Sequence, residues 1–97
     1  MRFRFRDRKL EALYHGGKRI KKYVALEEDF ITVVDDIDAA PDERSLYDLK
    51  SLHFEKLKGK LAGLHSLRLN DQFRLIVSIE ADERGKYIAI WRIEDYH

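Results

Sequence analysis

The sequence contains no cysteine and only one proline. Without cysteine there is no disulfide framework and no thiolate metal site. The absence fits a reducing compartment without requiring one. No stretch approaches the ~18 uncharged apolar residues of a membrane helix, so no membrane association is expected. The opening Met1-Arg2-Phe3-Arg4-Phe5-Arg6 is basic, but no apolar run or small-residue cleavage site follows it. It does not read as a secretory signal, and a cytoplasmic protein is expected. A glycine-rich nucleotide loop, a metal-binding histidine spacing and a Ser-His-Asp order are also missing. No metal or cofactor is expected.

What is present is charge, strongly segregated. The net charge of the 97 residues is only +1. Yet Met1 to Leu26 holds nine Lys or Arg against two acids, and Glu27 to Glu43 holds eight acids and no base. Arg44 to Ile76 is again basic, by +4, and Val77 to His97 is mildly acidic, by −2. Such a chain can carry a basic face and an acidic face at once. The acidic block reads equally well as a solvated helix face. The length predicts one domain, residues 1–97, that buries about two-thirds of its unfolded surface.

The periodicities give an order of elements. Phe3 and Phe5 alternate with arginines, the period of a short strand. Asp7 is a candidate N-cap for a helix through Leu10, Leu13 and Tyr14, and Gly16-Gly17 ends it. Ile20, Tyr23, Val24, Phe30, Ile31, Val34 and Ile37 keep helical spacing and predict one long second helix. Its basic start and acidic end oppose the macrodipole, so Lys18, Arg19, Lys21 and Lys22 call for a reason other than helix stability. Pro41-Asp42 marks a loop. A short helical turn and an irregular lysine-rich segment run to Gly63. Leu64–Leu69, Phe73–Ile79 and Tyr87–Ile93 are rich in β-branched and aromatic residues and predict an antiparallel meander. The expected fold is α+β: a small antiparallel sheet, β-α-α-β-β-β, with two N-terminal helices packed on one face.

Register fixes the chemistry. A three-residue loop, Asn70–Gln72, sets Leu69 against Phe73 and Leu67 against Leu75 on one apolar face. A two-residue loop would mix arginines and leucines on both faces. The three-residue register places Arg68 directly across from Arg74 on the other face. Like charges so placed are destabilising, and they persist where an anion or neighbouring carboxylates sit with them. His53, Lys56, Lys58, Lys60, Arg68, Arg74, Tyr96 and His97 thus gather around a sheet face suited to a polyanion. They also suit RNA cleavage without a metal. That reaction needs a base for the 2′-hydroxyl proton, cations for the phosphorane and an acid for the leaving 5′-oxygen. His15 reads as a helix end, and His65 as structural.

From Leu52 onward the chain resembles the HigB-type branch of the RelE/ParE toxin superfamily. The resemblance rests on Leu57-Lys-Gly59, on Ser66-Leu-Arg-Leu-Asn-Asp-Gln-Phe-Arg74 and on the terminal Asp95-Tyr-His97. The N-terminal half agrees only in layout. The resemblance implies a RelE-like fold and a toxin of a type II toxin–antitoxin system. Such toxins bind the ribosomal 30S A site, cut mRNA there and are silenced by a helix-turn-helix, HigA-like antitoxin. Carried over by position, Lys58, Arg74 and Tyr96 with its neighbour His97 are the working residues. The family histidine stands three residues before the lysine, where this chain has Glu55. His53, two residues earlier, keeps the same side of an extended segment and can substitute; Glu55 acting as the base is the alternative. Lys18, Arg19, Lys22, Lys56, Lys60 and Arg68 are the expected RNA-contacting cations. Two other readings stay open: a ParE-like, non-enzymatic inhibitor of DNA gyrase, and a detoxified RNA-binding module of the same fold.

Overall fold

A computed structural model describes residues 1–16 and 21–96, without the side chains of residues 21 and 22. Strand β1 is Phe3–Phe5, and helix α1 is Arg8–Tyr14. Asp7 caps α1 as expected: its carboxylate accepts from the backbone N–H of Lys9 (2.7 Å) and Leu10 (3.4 Å). Helix α2 is Glu27–Ala39 and α3 is Glu43–Asp48. Strands β2 (Glu55–Lys56), β3 (His65–Arg68), β4 (Phe73–Asp82) and β5 (Gly85–Asp95) complete the chain.

The single long second helix is not observed. Residues Lys21–Leu26 form a 3₁₀ segment, and the α-helix starts only at Glu27. The conflict with the macrodipole disappears with this break. Glu27, Glu28 and Asp29 now occupy the first turn, where negative charge is favourable. Phe30, Val33, Val34 and Ile37 form the buried stripe, while Val24 is exposed.

The sheet differs from the expected one in two respects. Among the described residues it has five strands, ordered β1-β5-β4-β3-β2, and it is mixed. β1 runs parallel to β5, with Phe5 paired to Ile90, because α1 and α2 carry the chain across the sheet before the meander begins. Parallel neighbours need such a crossover. The added strand, β2, is a two-residue edge set against β3, too short for periodicity to reveal. The hairpin register holds: Leu67 pairs with Leu75, and Arg68 with Arg74.

One sheet face meets the helices. Leu67, Leu75, Val77, Ile88 and Ile90 pack there against Leu10, Leu13, Phe30, Val34, Ile37 and Leu46. The opposite face carries the alternate residues, among them Arg68, Arg74, Ser78, Glu80 and Tyr87. A bulge between Ile76 and Val77 leaves Trp91 without a cross-strand partner. Its indole lies on this open face, where Nε1 donates to Ser78 Oγ at 2.8 Å. Among the described residues no helix is long and apolar enough to cross a membrane.

Candidate functional site on the open sheet face

The hairpin loop is built by Asn70. Its side-chain oxygen accepts from the backbone N–H of Gln72 (2.9 Å) and of Phe73 (2.8 Å), a local turn suited to asparagine. The Phe73 carbonyl accepts from Leu69 N–H at 3.0 Å, closing the three-residue connection. The end of β5 is tied to this loop. Phe73 pairs with Asp95, and Tyr96 N–H donates to the Gln72 carbonyl at 2.6 Å. Gln72 Nε2 also donates to Asp95 Oδ2 at 3.2 Å. The turn therefore fixes both Arg74 and the chain terminus that folds beside it.

Arg74 is half-buried. Its guanidinium donates through Nη1 to the carbonyls of Asn70 (2.9 Å) and Phe73 (3.3 Å) and lies 5.5 Å from the Tyr96 ring centroid. Across the strand, Arg68 is neutralised by Asp71. The expected repulsion between the two arginines is thus relieved at Arg68 by a carboxylate. The remaining positive charge sits on Arg74.

That pattern extends over the whole face. Arg2 and Arg4 both bind Asp82, whose carboxyl is held well below the usual carboxylate range by the hydrogen bond from Arg2. Arg92 binds Glu94 at 2.5 Å. Of the six arginines on or beside this face, only Arg6 and Arg74 have no carboxylate partner among the described residues. Arg6 instead lies 3.7 Å from the Trp91 ring centroid, and Arg4 lies 4.3 Å from that of Tyr87.

The other expected site residues fall less compactly. His53 is exposed and adopts a left-handed backbone (φ 45°), uncommon for a residue with a side chain. It precedes β2, at the sheet end that holds Arg68 and Arg74, because Glu55 pairs with Ser66 and the strands are antiparallel. Lys58 is exposed at the opposite end of this edge, just after Leu57, which bonds to Leu64. Lys56 pairs with His65, and so belongs to the helix-covered side of the edge strand and not to the arginine face. Lys60 is exposed in the 3₁₀ turn Gly59–Leu61. Among the described residues neither His53 nor Lys58 bonds to Arg74 or Tyr96. The structure therefore joins Arg68, Arg74 and Tyr96, with His53 nearby along the edge, and leaves the lysines apart. Lys18, Arg19 and His97 lie outside the described residues, as does the Lys22 side chain.

His65 is buried and stacks on Phe54 (4.9 Å, 12° between planes), as a structural histidine does. Neither ring nitrogen has a hydrogen-bond partner among the described residues. Burial, and then the Lys56 charge, push its pKa down. Sequence reasoning missed the group Arg6, Tyr87 and Trp91. The alternation of Arg2, Arg4 and Arg6 was its one visible sign, since nothing local tells which strand β1 will join.

Comparison with known proteins adds the following. Residues 3–91 match the family model for the RelE-like toxin of the type II toxin–antitoxin system HigB. The match stops short of Tyr96. The chain is 35% identical over 77 residues to Toxin HigB-1 of Vibrio cholerae serotype O1, covering 78% of this chain and 81% of that protein. It is similar in fold to the YoeB/ParE toxin from Agrobacterium tumefaciens (TM-score 0.58, 14% identity, all of both chains). It is also similar to the toxin in the YoeB-YefM complex from Staphylococcus aureus (TM-score 0.54, 23% identity, 100% of this chain and 97% of that one).

Proposed function

The chain belongs to the HigB family of RelE-like toxins of type II toxin–antitoxin systems, and on that premise we propose that it is an endoribonuclease that cuts mRNA on the ribosome. The observation that carries this reading is Arg74. Among the described residues it is an arginine without a carboxylate partner, held by loop carbonyls beside a tyrosine on an open sheet face. A guanidinium with free donors suits two oxygens of a phosphate, and a tyrosine beside it can stack on a base.

In the proposed reaction the ribose 2′-oxygen attacks the adjacent phosphorus, and its proton passes to a base. The P–O5′ bond breaks, leaving a 2′,3′-cyclic phosphate and a 5′-oxyanion that takes up a proton to become the 5′-hydroxyl. Arg74 stabilises the charge that builds on the phosphorane, where a preorganised donor acts most strongly. His53, at the same end of the sheet, is assigned the 2′-hydroxyl proton. Tyr96, with His97 next to it, is assigned the base stack and the proton for the leaving oxygen. Lys58, Lys56 and Lys60 along the edge, with Lys18, Arg19 and Lys22, are assigned to the backbones of mRNA and ribosomal RNA. The proposed partners are the 30S A site and a helix-turn-helix antitoxin, and the proposed setting is the cytoplasm. No membrane takes part.

The test is inducible expression in a bacterium followed by primer extension on an abundant transcript, for the wild type and Arg74→Ala. Cuts within translated codons that vanish in the variant are expected. Growth arrest with intact mRNA would instead indicate a gyrase-type target. No arrest would indicate a module that binds RNA without cutting it.

A further inference from the structure

The open face carries a second cleft, apart from Arg74. Next to β1 it has a cleft of about 290 Å³ lined by Arg4, Phe5, Arg6, Glu80, Tyr87 and Ala89. Ala89, small and buried, gives the cleft a shallow apolar floor on the sheet. Tyr87 forms one wall, with the Arg4 guanidinium held over its ring. Arg6 forms the other, backed by the Trp91 indole. The indole is itself fixed by its bond to Ser78, and the Ser78 hydroxyl donates to Glu80 Oε2 at 2.6 Å. Glu80 lines the cleft, and its other carboxylate oxygen has no hydrogen-bond donor among the described residues.

These parts differ in kind from a structural ion-pair network. Arg2 and Arg4 are neutralised by Asp82, but Arg6 is not neutralised by any described residue. It is positioned by an aromatic ring, and its N–H edge has no acceptor among the described residues. A guanidinium plane stacked on an indole offers its outer face to a nucleobase and its edge to a phosphate. Pairing places Arg6 level with Trp91, three residues along β5 from Glu94, the partner of Arg74. With two inter-strand steps between them, the two backbones are roughly 14 Å apart. A short stretch of extended single strand covers that span.

We propose that this cleft is a second nucleotide subsite: it seats an unpaired RNA base on the outer face of the Arg6 guanidinium, within the wall made by Tyr87 and Arg4, with the Arg6 edge on the phosphate and Glu80 accepting from a base N–H. The site rests on the RNA-cleaving reading, whose scissile phosphate is at Arg74, and it adds a non-scissile nucleotide that sets how the strand lies across the sheet.

Trp91 is the only tryptophan of the chain, so its fluorescence reports on this subsite. The probe is a short single-stranded oligoribonucleotide of mixed sequence, titrated into the full chain. Its binding is followed in parallel by the anisotropy of a label on the RNA. Saturable quenching of Trp91 is expected, with an affinity that falls as salt is raised. Arg6→Gln, checked for folding by circular dichroism, is expected to weaken binding roughly tenfold, the low end of what one stacked base contributes. Arg6→Lys, which keeps the charge without the plane, should not restore it. RNA binding with unquenched Trp91, no RNA binding, or unchanged affinity in Arg6→Gln would each overturn the subsite. Quenching by a protein that never cuts mRNA would leave the subsite standing and reject the nuclease. Cutting with an unresponsive Trp91 would do the reverse.

Discussion

Replacing Asn70 with alanine tests whether the hairpin loop places the arginine site. The Asn70 side chain accepts two backbone N–H groups, from Gln72 at 2.9 Å and Phe73 at 2.8 Å. Each such bond contributes about 0.5–1.5 kcal/mol net. Water can solvate part of what is released, since Gln72 is exposed and Asn70 and Phe73 are half-buried. The expected loss is therefore about 1–2 kcal/mol. For a domain of this size 1 kcal/mol lowers Tm by about 4–8 °C, so Asn70→Ala should melt about 5–15 °C below the wild type. Asn70→Asp keeps the accepting oxygen and should stay within a few degrees of it (about half a kcal/mol). The Asn70 carbonyl also receives the Arg74 guanidinium, and the Gln72 carbonyl receives Tyr96 N–H. The alanine variant should thus lose mRNA cutting at temperatures where it is still folded. Circular dichroism melts and urea titrations give the stability, and primer extension gives the cutting. An Asn70→Ala protein as stable as the wild type, or an Asn70→Asp protein as weak as the alanine variant, would refute the reasoning.

Three further outcomes follow from other parts of the molecule. Phe30 is fully buried where α2 meets the sheet, and Phe30→Ala should cost about 3–5 kcal/mol, read as a collapsed urea midpoint; a loss under 1 kcal/mol would misplace the core. The folded pKa of His65 is depressed, so the unfolded chain binds the proton more readily, and stability present above the ordinary histidine pKa of about 6.5 is lost as pH falls through the folded value. Urea midpoints between pH 8 and pH 5 should fall for the wild type and fall less for His65→Phe, which keeps the stack on Phe54; equal slopes would exclude His65 as the cause. Tyr14 donates to Asp35 at 2.7 Å, and this bond pushes its pKa up to about 12. In an ultraviolet titration a late ionisation step is expected from Tyr14, and Tyr14→Phe should remove it.

The legibility of the fold followed the range of the forces involved. The Leu67–Leu75 and Arg68–Arg74 register could be read because a slip of one residue would have buried arginines. The Asp7 cap could be read because its chemistry is local. The apolar spacing continued by Ile20, Tyr23 and Val24 predicts too early a start for α2, although Val24 is exposed in a 3₁₀ segment. The parallel place of β1 beside β5 had no local signal, and neither did the bulge that sets Trp91 over Ser78. For this reason the closeness of Arg74 and Tyr96 was legible, while the partnership of Arg6 with Trp91 was not. Lys56 illustrates the limit of a basic count: its pairing with His65 assigns it to the other side of the sheet from the arginines.

The central claim is that Arg74 acts on a phosphate of mRNA, and a reconstituted translation reaction tests it most directly. Purified wild-type protein, added to ribosomes stalled on a defined message, should cut within the A-site codon and leave a 2′,3′-cyclic phosphate. Arg74→Ala should fold normally and cut about 100- to 1,000-fold more slowly, the usual cost of removing one donor to a developing oxyanion. An Arg74→Ala protein that cuts at the wild-type rate, or a wild type that stops growth and leaves every message intact, would contradict the account.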